Sequence, residues 1–133
     1  VITSGLKITL FSLDATDKTP VKKEFLKRLA RQRKYHLSDL TLQGLAITMK
    51  NLTSYAETFY LWDVLAVAYL GCEGMITTRK VELDVSINAP NEGQTIKCPG
   101  NNCWIDVADE VNVEVFEEYY VKQLQKDFPK AVV

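Results

Sequence analysis

The most informative part of the sequence is FYLWDVLAVAY, residues 59–69. Apart from Asp63, residues 61–70 are apolar on every side of a helix, a pattern that predicts burial all round. The run is too short for a membrane span, which needs about 20 apolar residues. A domain of 133 residues offers few neighbours for such a helix. We therefore expect one flank of a larger α/β protein.

Asp63 is the only charged residue in residues 59–72, and it lies in the first turn of the predicted helix. A buried carboxylate is costly unless it is paired, hydrogen-bonded or bound to a cation. Ca²⁺ is one cation that uses Asp as a ligand. The alternative is a carboxylate that caps the N–H groups of its own helix. Both interpretations remain open on the pattern alone.

An aromatic cluster, Phe59, Tyr60 and Trp62, lies directly before this carboxylate in the sequence. An indole can stack on a planar heterocycle such as a nucleobase. More often, such residues simply form part of a core. His36, the only histidine, has no Cys or Asp at metal-ligand spacing and is predicted to be a loop residue.

The elements outside this helix are of mixed α and β type, without the regular alternation of βα units. Strands are predicted at residues 6–13, 81–88, 94–98 and 103–108, and further helices at 21–35, 38–52 and 112–126. The second of these helices is expected to bury Leu37, Leu40, Gly44, Ile47 and Leu52. The strand at 81–88 is expected to bury Val81, Leu83, Val85 and Ile87.

Charge is distributed unevenly although the formal net charge is only −1. Residues 21–34 are strongly basic, but apolar residues recur in them at helical spacing and no aromatic residue interleaves to stack bases. A solvated helix face is therefore favoured over a nucleic-acid interface, and neither a nucleic acid nor a membrane is expected as a partner. The chain begins at Val1 without a signal-peptide pattern, which predicts a processed chain or part of a longer one.

Two features bear on the cellular compartment. Cys98 and Cys103 flank a short loop and could form a disulfide, and Asn51-Leu52-Thr53 is a glycosylation sequon. Together they weakly favour an oxidising, extracellular compartment over the cytoplasm.

The stretch at residues 59–69 resembles the calcium-site helix of nucleoside hydrolases, the nucleoside N-ribohydrolases. In that family a His or Trp precedes an Asp and an apolar run. Three other stretches are similar to family segments in the same order: residues 4–16, which end in SLDAT, residues 75–85, MITTRKVELDV, and residues 91–95, NEGQT. The resemblance implies a Rossmann-like α/β fold, of which residues 1–133 would form the C-terminal portion.

Carried over by residue, the resemblance makes Asp63 a Ca²⁺ ligand and places Trp62 where purine-preferring members stack a Trp on the base. Phe59 and Tyr60 would lie on the active-site loop and contact substrate. No catalytic residue is implied in this chain, because the aspartate-rich N-terminal motif of the family has no counterpart here. One Asp cannot supply the six to eight oxygens that Ca²⁺ prefers.

The resemblance thus implies a calcium-dependent, purine-preferring nucleoside hydrolase, inactive as this chain alone. Its partners would be a ribonucleoside, the N-terminal part of the same enzyme and further copies in a homo-oligomer. The alternative is a non-catalytic binding or interaction module derived from that fold.

Overall fold

A computed structural model describes residues 1–51 and 58–126 of the chain. The elements are, in order, β1 (Thr9–Leu10), α1 (Leu13–Thr16), α2 (Lys23–Ala30), α3 (His36–Asn51), α4 (Trp62–Tyr69), β2 (Ile76–Val85), β3 (Thr95–Lys97), β4 (Trp104–Val111) and α5 (Val113–Gln123). The fold class is mixed α/β, as the sequence predicts.

The strands form a four-stranded sheet in the order β1-β4-β2-β3. Strand β2 pairs antiparallel with both β3 and β4, whereas β1 pairs parallel with β4 through Thr9 and Leu10. A parallel pair needs a crossover connection. Between β1 and β4 the chain forms helices α1 to α4 and strands β2 and β3. The helices pack beside the sheet.

The main core lies between the helices and the sheet. Its fully buried side chains include Phe25 and Leu29 of α2, Leu65 of α4, and Phe116 of α5. A smaller cluster on the sheet contains Leu83, Ile105 and Val107. Apolar residues at helical spacing in α2 and α5 and at alternate positions in β4 account for these contacts.

Helix α5 begins within one residue of its predicted start, with Asn112 as its N-terminal cap. The side-chain Oδ1 of Asn112 accepts a hydrogen bond from the backbone N–H of Val115 at 3.2 Å. Phe116 and Leu124 are buried, and Tyr120 packs against the core. Burial raises the pKa of the Tyr120 phenol above its ordinary value, which keeps the neutral form in place.

We expect Asn112→Ala to lower the free energy of unfolding by about 1 kcal/mol, because it leaves the Val115 N–H without its capping acceptor. Urea denaturation measures this change. Asn91→Ala, in an exposed loop, is the matched control and should change stability by less than about 0.5 kcal/mol. Equal effects of the two substitutions would contradict the capping role.

Two predictions about the first half of the chain need correction. The strand predicted at residues 6–13 is limited to Thr9–Leu10, because the chain turns into α1 at Leu13. His36 is the first residue of α3 rather than a loop residue.

The predicted inner face of α3 is confirmed only at Leu37, which is half-buried and packs against the core. Leu40 and Ile47 are 63% and 62% exposed, and the helix instead buries Ser38 and Leu45. The Ser38 hydroxyl donates at 3.2 Å to the carbonyl of Leu124, the C-terminal cap of α5, so the inward side of α3 is the side that bonds the end of α5. Leu52, the last member of the predicted face, lies outside the described residues.

The strand expectation around residue 81 is confirmed in part. Leu83 is buried and Val81 half-buried, but Val85 and Ile87 are exposed. Strand β2 also begins earlier, at Ile76, because its first half pairs with β4.

The basic face of α2 behaves as a solvated surface in this structure. Val21, Phe25 and Leu29 are buried, and Lys22, Lys23 and most of the other basic residues are exposed. Arg28 is partly shielded and donates to Glu117 of α5 at 2.9 Å, which ties the two helices together. Among the described residues, no helix is long and apolar enough to cross a membrane.

Cys98 and Cys103 are free thiols in this structure and lie on opposite edges of β2. The Cys98 N–H donates to the Glu82 carbonyl at 3.0 Å, and the Leu83 N–H donates to the Cys103 carbonyl at 3.2 Å. Because β2 lies between the two cysteines, their Cα atoms are separated by two interstrand spacings, roughly 10 Å. A disulfide spans at most roughly 7 Å between Cα atoms. The sequon Asn51-Leu52-Thr53 runs into residues 52–57, which lie outside the described residues.

Candidate functional site

Two backbone segments that are distant in sequence position the start of α4. The Val21 N–H donates to the Phe59 carbonyl at 2.6 Å, and the Leu61 N–H donates to the Thr19 carbonyl at 3.1 Å. Pro20 and Tyr60 form the isolated β-bridge between these bonds. Because Thr19 is almost fully buried, this pairing anchors residues 59–61 against the core.

Trp62 and Tyr60 form an aromatic platform. Their ring centroids are 5.7 Å apart and their planes differ by only 8°, so the rings are stacked. Trp62 remains 47% exposed although Tyr60 covers part of it. The indole Nε1–H donates to Oδ1 of Asp17 at 2.9 Å. A planar ligand can therefore reach an indole whose orientation is already restrained.

A cleft of about 520 Å³ adjoins this platform. Residues Thr58, Phe59, Tyr60, Leu61, Trp62, Asp63 and Val64 line it. The volume is within the range of small-molecule sites, roughly 300–1,000 Å³. The structure thus brings together the four residues that the sequence singled out: Phe59, Tyr60, Trp62 and Asp63.

Asp17 is the residue of this arrangement that sequence reasoning missed. It lies 45 positions before Trp62 in the chain and belongs to the end of α1. An exposed Asp in a turn-rich loop carries no sequence signal that would link it to a distant indole. Only the pairing of residues 19–21 with 59–61 brings the two side chains together.

Helix α4 is not buried all round, contrary to the sequence prediction. Leu65 and Ala68 face the core, but Val67 and Leu70 are 67% and 84% exposed. Asp63 is exposed as well, so the cost of burial that made its charge notable does not arise within this chain. The exposed side of α4 carries Trp62, Asp63, Val67 and Leu70, an apolar face with one carboxylate.

The residues of this site do not by themselves fit a calcium ion. Ca²⁺ takes six to eight oxygen ligands, and one carboxylate provides at most two. Across residues 1–51 and 58–126, no group of three or more His, Cys, Asp or Glu side chains is placed to hold a metal. Over the same residues, each buried side-chain N or O atom already has a hydrogen-bond partner, so no buried polar atom is left for an ion to satisfy.

The fold matches solved structures of nucleoside hydrolases. An inosine–uridine-preferring nucleoside hydrolase from Bacillus anthracis has a TM-score of 0.76 and 26% identity, with 92% of this chain and 38% of that chain covered. A purine-preferring ribonucleoside hydrolase from Gardnerella vaginalis has a TM-score of 0.76 and 21% identity, with 93% and 41% covered. A plant nucleoside hydrolase has a TM-score of 0.75 and 16% identity, with 95% and 43% covered.

Neither a family model nor a curated protein matches the sequence. The structural matches show that this chain has a partial nucleoside hydrolase fold and is structurally related to those enzymes. It spans about 40% of the length of the solved structures that it matches. These structures include both inosine–uridine-preferring and purine-preferring enzymes, so they do not distinguish the two preferences for this chain.

Proposed function

We propose that this chain forms part of a nucleoside hydrolase that cleaves the N-glycosidic bond of ribonucleosides and prefers purines. The observation that carries the proposal is the Trp62–Asp63 pair, exposed beside a cleft at the start of α4 on a partial nucleoside hydrolase fold. The cleavage would pass through an oxocarbenium-like state, as glycosidic hydrolysis generally does. Its products would be ribose and free base.

The aromatic residues account for the proposed preference for purines. Trp62 presents a large ring held parallel to Tyr60, and a bicyclic base offers more area for stacking than a monocyclic one. Indole does not act as a general acid, so Trp62 contributes by stacking on the departing base rather than by donating a proton. Phe59, next to this pair in the cleft, would complete the contact with substrate.

The remainder of the site would come from outside this chain. Asp63 would provide one oxygen-donor side chain to a Ca²⁺ site whose other ligands, and the base that activates water, belong to the N-terminal part of the same enzyme. The exposed Val67 and Leu70 support this arrangement, because a larger fold would cover the apolar side of α4 that carries Asp63. We also propose that the complete enzyme is a homo-oligomer.

The proposal is tested with a polypeptide that joins this chain to the remaining part of the fold. Its hydrolysis of inosine and of uridine is measured. We expect calcium-dependent release of base, faster from inosine than from uridine, and no release from residues 1–133 alone. A chelator should abolish the activity. A complete, folded polypeptide that hydrolyses neither nucleoside would overturn the proposal, and faster cleavage of uridine would overturn the purine preference.

A second candidate function is a non-catalytic binding module that retains this fold. The absence of a metal-ligating cluster among residues 1–51 and 58–126 favours it if residues 1–133 are the whole gene product. The intact mass of the native protein separates the two candidates. A lone 15.1 kDa species that binds inosine without cleaving it supports the module, and a larger precursor or a co-purifying N-terminal chain supports the enzyme.

A further inference from the structure

The hydrogen bond between Asp17 and Trp62 joins α1 to the aromatic platform. Its length of 2.9 Å between Nε1 and Oδ1 is typical of an N–H···O hydrogen bond. Indole has a single N–H donor, so this bond uses the full hydrogen-bonding capacity of Trp62. Rotation of the indole out of its plane would break the bond and the stack on Tyr60 together.

Asp17 is itself held in place by the backbone. It is the C-terminal cap of α1, and its N–H donates to the Leu13 carbonyl at 2.8 Å. Two residues later, the Thr19 hydroxyl donates to the Thr16 carbonyl at 2.8 Å in a buried position. Since Thr19 also pairs with Leu61, the segment that carries Asp17 and the segment that carries Trp62 form one hydrogen-bonded unit.

The charge of Asp17 has an electronic consequence for the ring. A carboxylate that accepts the indole N–H places a negative charge at the edge of the ring and increases electron density on its faces. The face of an aromatic ring already attracts cations through its quadrupole. A platform of this kind should therefore bind a positively charged planar ring better than a neutral ring of the same shape.

We propose that Asp17 is the positioning residue of this site: it fixes the plane of Trp62 against Tyr60 and makes the platform selective for electron-poor or positively charged planar rings. The inference deepens the proposed function, because it rests on Trp62 as the stacking surface for the base. A departing base that acquires positive charge would then be held more tightly than the neutral base of the bound nucleoside.

The test uses fluorescence of Trp62 in a Trp104→Phe background, which removes the other tryptophan of the chain. The probes are 1-methylnicotinamide, a planar cation, and nicotinamide, its neutral counterpart. Asp17→Asn keeps an acceptor oxygen but removes the charge, and Asp17→Ala removes both. Asp14→Asn is the matched control, because it removes an equal charge from α1 and has no bond to the indole.

We expect the cation to bind about two to five times more tightly than the neutral probe, as cation–π contacts at exposed sites allow. Asp17→Asn should lower this ratio, whereas Asp14→Asn should leave it unchanged. Asp17→Ala should also shift the emission maximum of Trp62 in the free chain. An unchanged ratio in Asp17→Asn, or unchanged emission in Asp17→Ala, would overturn the proposal. Because neither probe measures hydrolysis, a failed hydrolase assay would leave this result interpretable.

Discussion

In a polypeptide that joins this chain to the remaining part of the fold, Asp63→Ala is expected to lower kcat/KM for inosine by about 100-fold or more. Substitution of groups that only support metal ligands already costs about 10–100-fold in metal affinity or activity, and a direct ligand should cost at least as much. Within the described chain, Asp63 is exposed and carries little structural role, so the fold should tolerate the change.

The calcium affinity of the same polypeptide provides a readout that does not depend on activity. Isothermal titration should show weaker binding of Ca²⁺ by Asp63→Ala than by the unsubstituted polypeptide. Asp84→Ala is the matched control, because Asp84 is an exposed carboxylate on β2 and bonds only the backbone beside it. Undiminished activity and calcium affinity in Asp63→Ala would contradict the assignment of Asp63 as a ligand.

Phe116→Ala is expected to lower the free energy of unfolding of this chain by about 3–5 kcal/mol. The side chain is fully buried and stacks with Tyr120 at a centroid distance of 6.1 Å, within the core that joins α5 to α2 and α4. Alanine would leave a cavity that this packing cannot fill without moving α5. A loss of this size is a large share of the stability of a small domain, about 5–15 kcal/mol.

Urea denaturation followed by circular dichroism measures the effect. Ile87→Ala is the control for loss of an apolar side chain, since Ile87 is 82% exposed and its truncation should change stability by less than about 0.5 kcal/mol. Similar losses for both variants would show that Phe116 does not pack as described.

Local signals in the sequence predicted several elements with accuracy. The predicted strand at 103–108 and the predicted helix at 112–126 correspond to β4 (Trp104–Val111) and α5 (Val113–Gln123), with each end within three residues, because residue type and spacing over a few turns indicate them. Such features depend on neighbours close in the chain. The sequence also placed Phe59, Tyr60, Trp62 and Asp63 together, because they are adjacent and their side chains need no distant contact to share one cleft.

Orientation relative to the rest of the molecule was predicted less well. Apolar periodicity indicates that a helix has an inner face. When apolar residues are abundant, however, the pattern does not decide which side of the helix is buried. On α3 the bond from Ser38 to the Leu124 carbonyl accompanies an inner face that leaves Leu40 and Ile47 exposed. On α4 the number of available neighbours limits burial, so a helix with apolar residues all round still leaves Val67 and Leu70 in contact with solvent.

The sequence by itself determined the class of fold and singled out Trp62 and Asp63 as candidate site residues, because both inferences depend on patterns within short stretches of chain. Tertiary structure alone decided that Asp17 bonds the indole and that Asp63 lies exposed on an apolar face. The physical reason is the same in both cases. Contacts between residues far apart in the chain depend on how whole elements pack, and the pairing of residues 19–21 with 59–61 is one such contact.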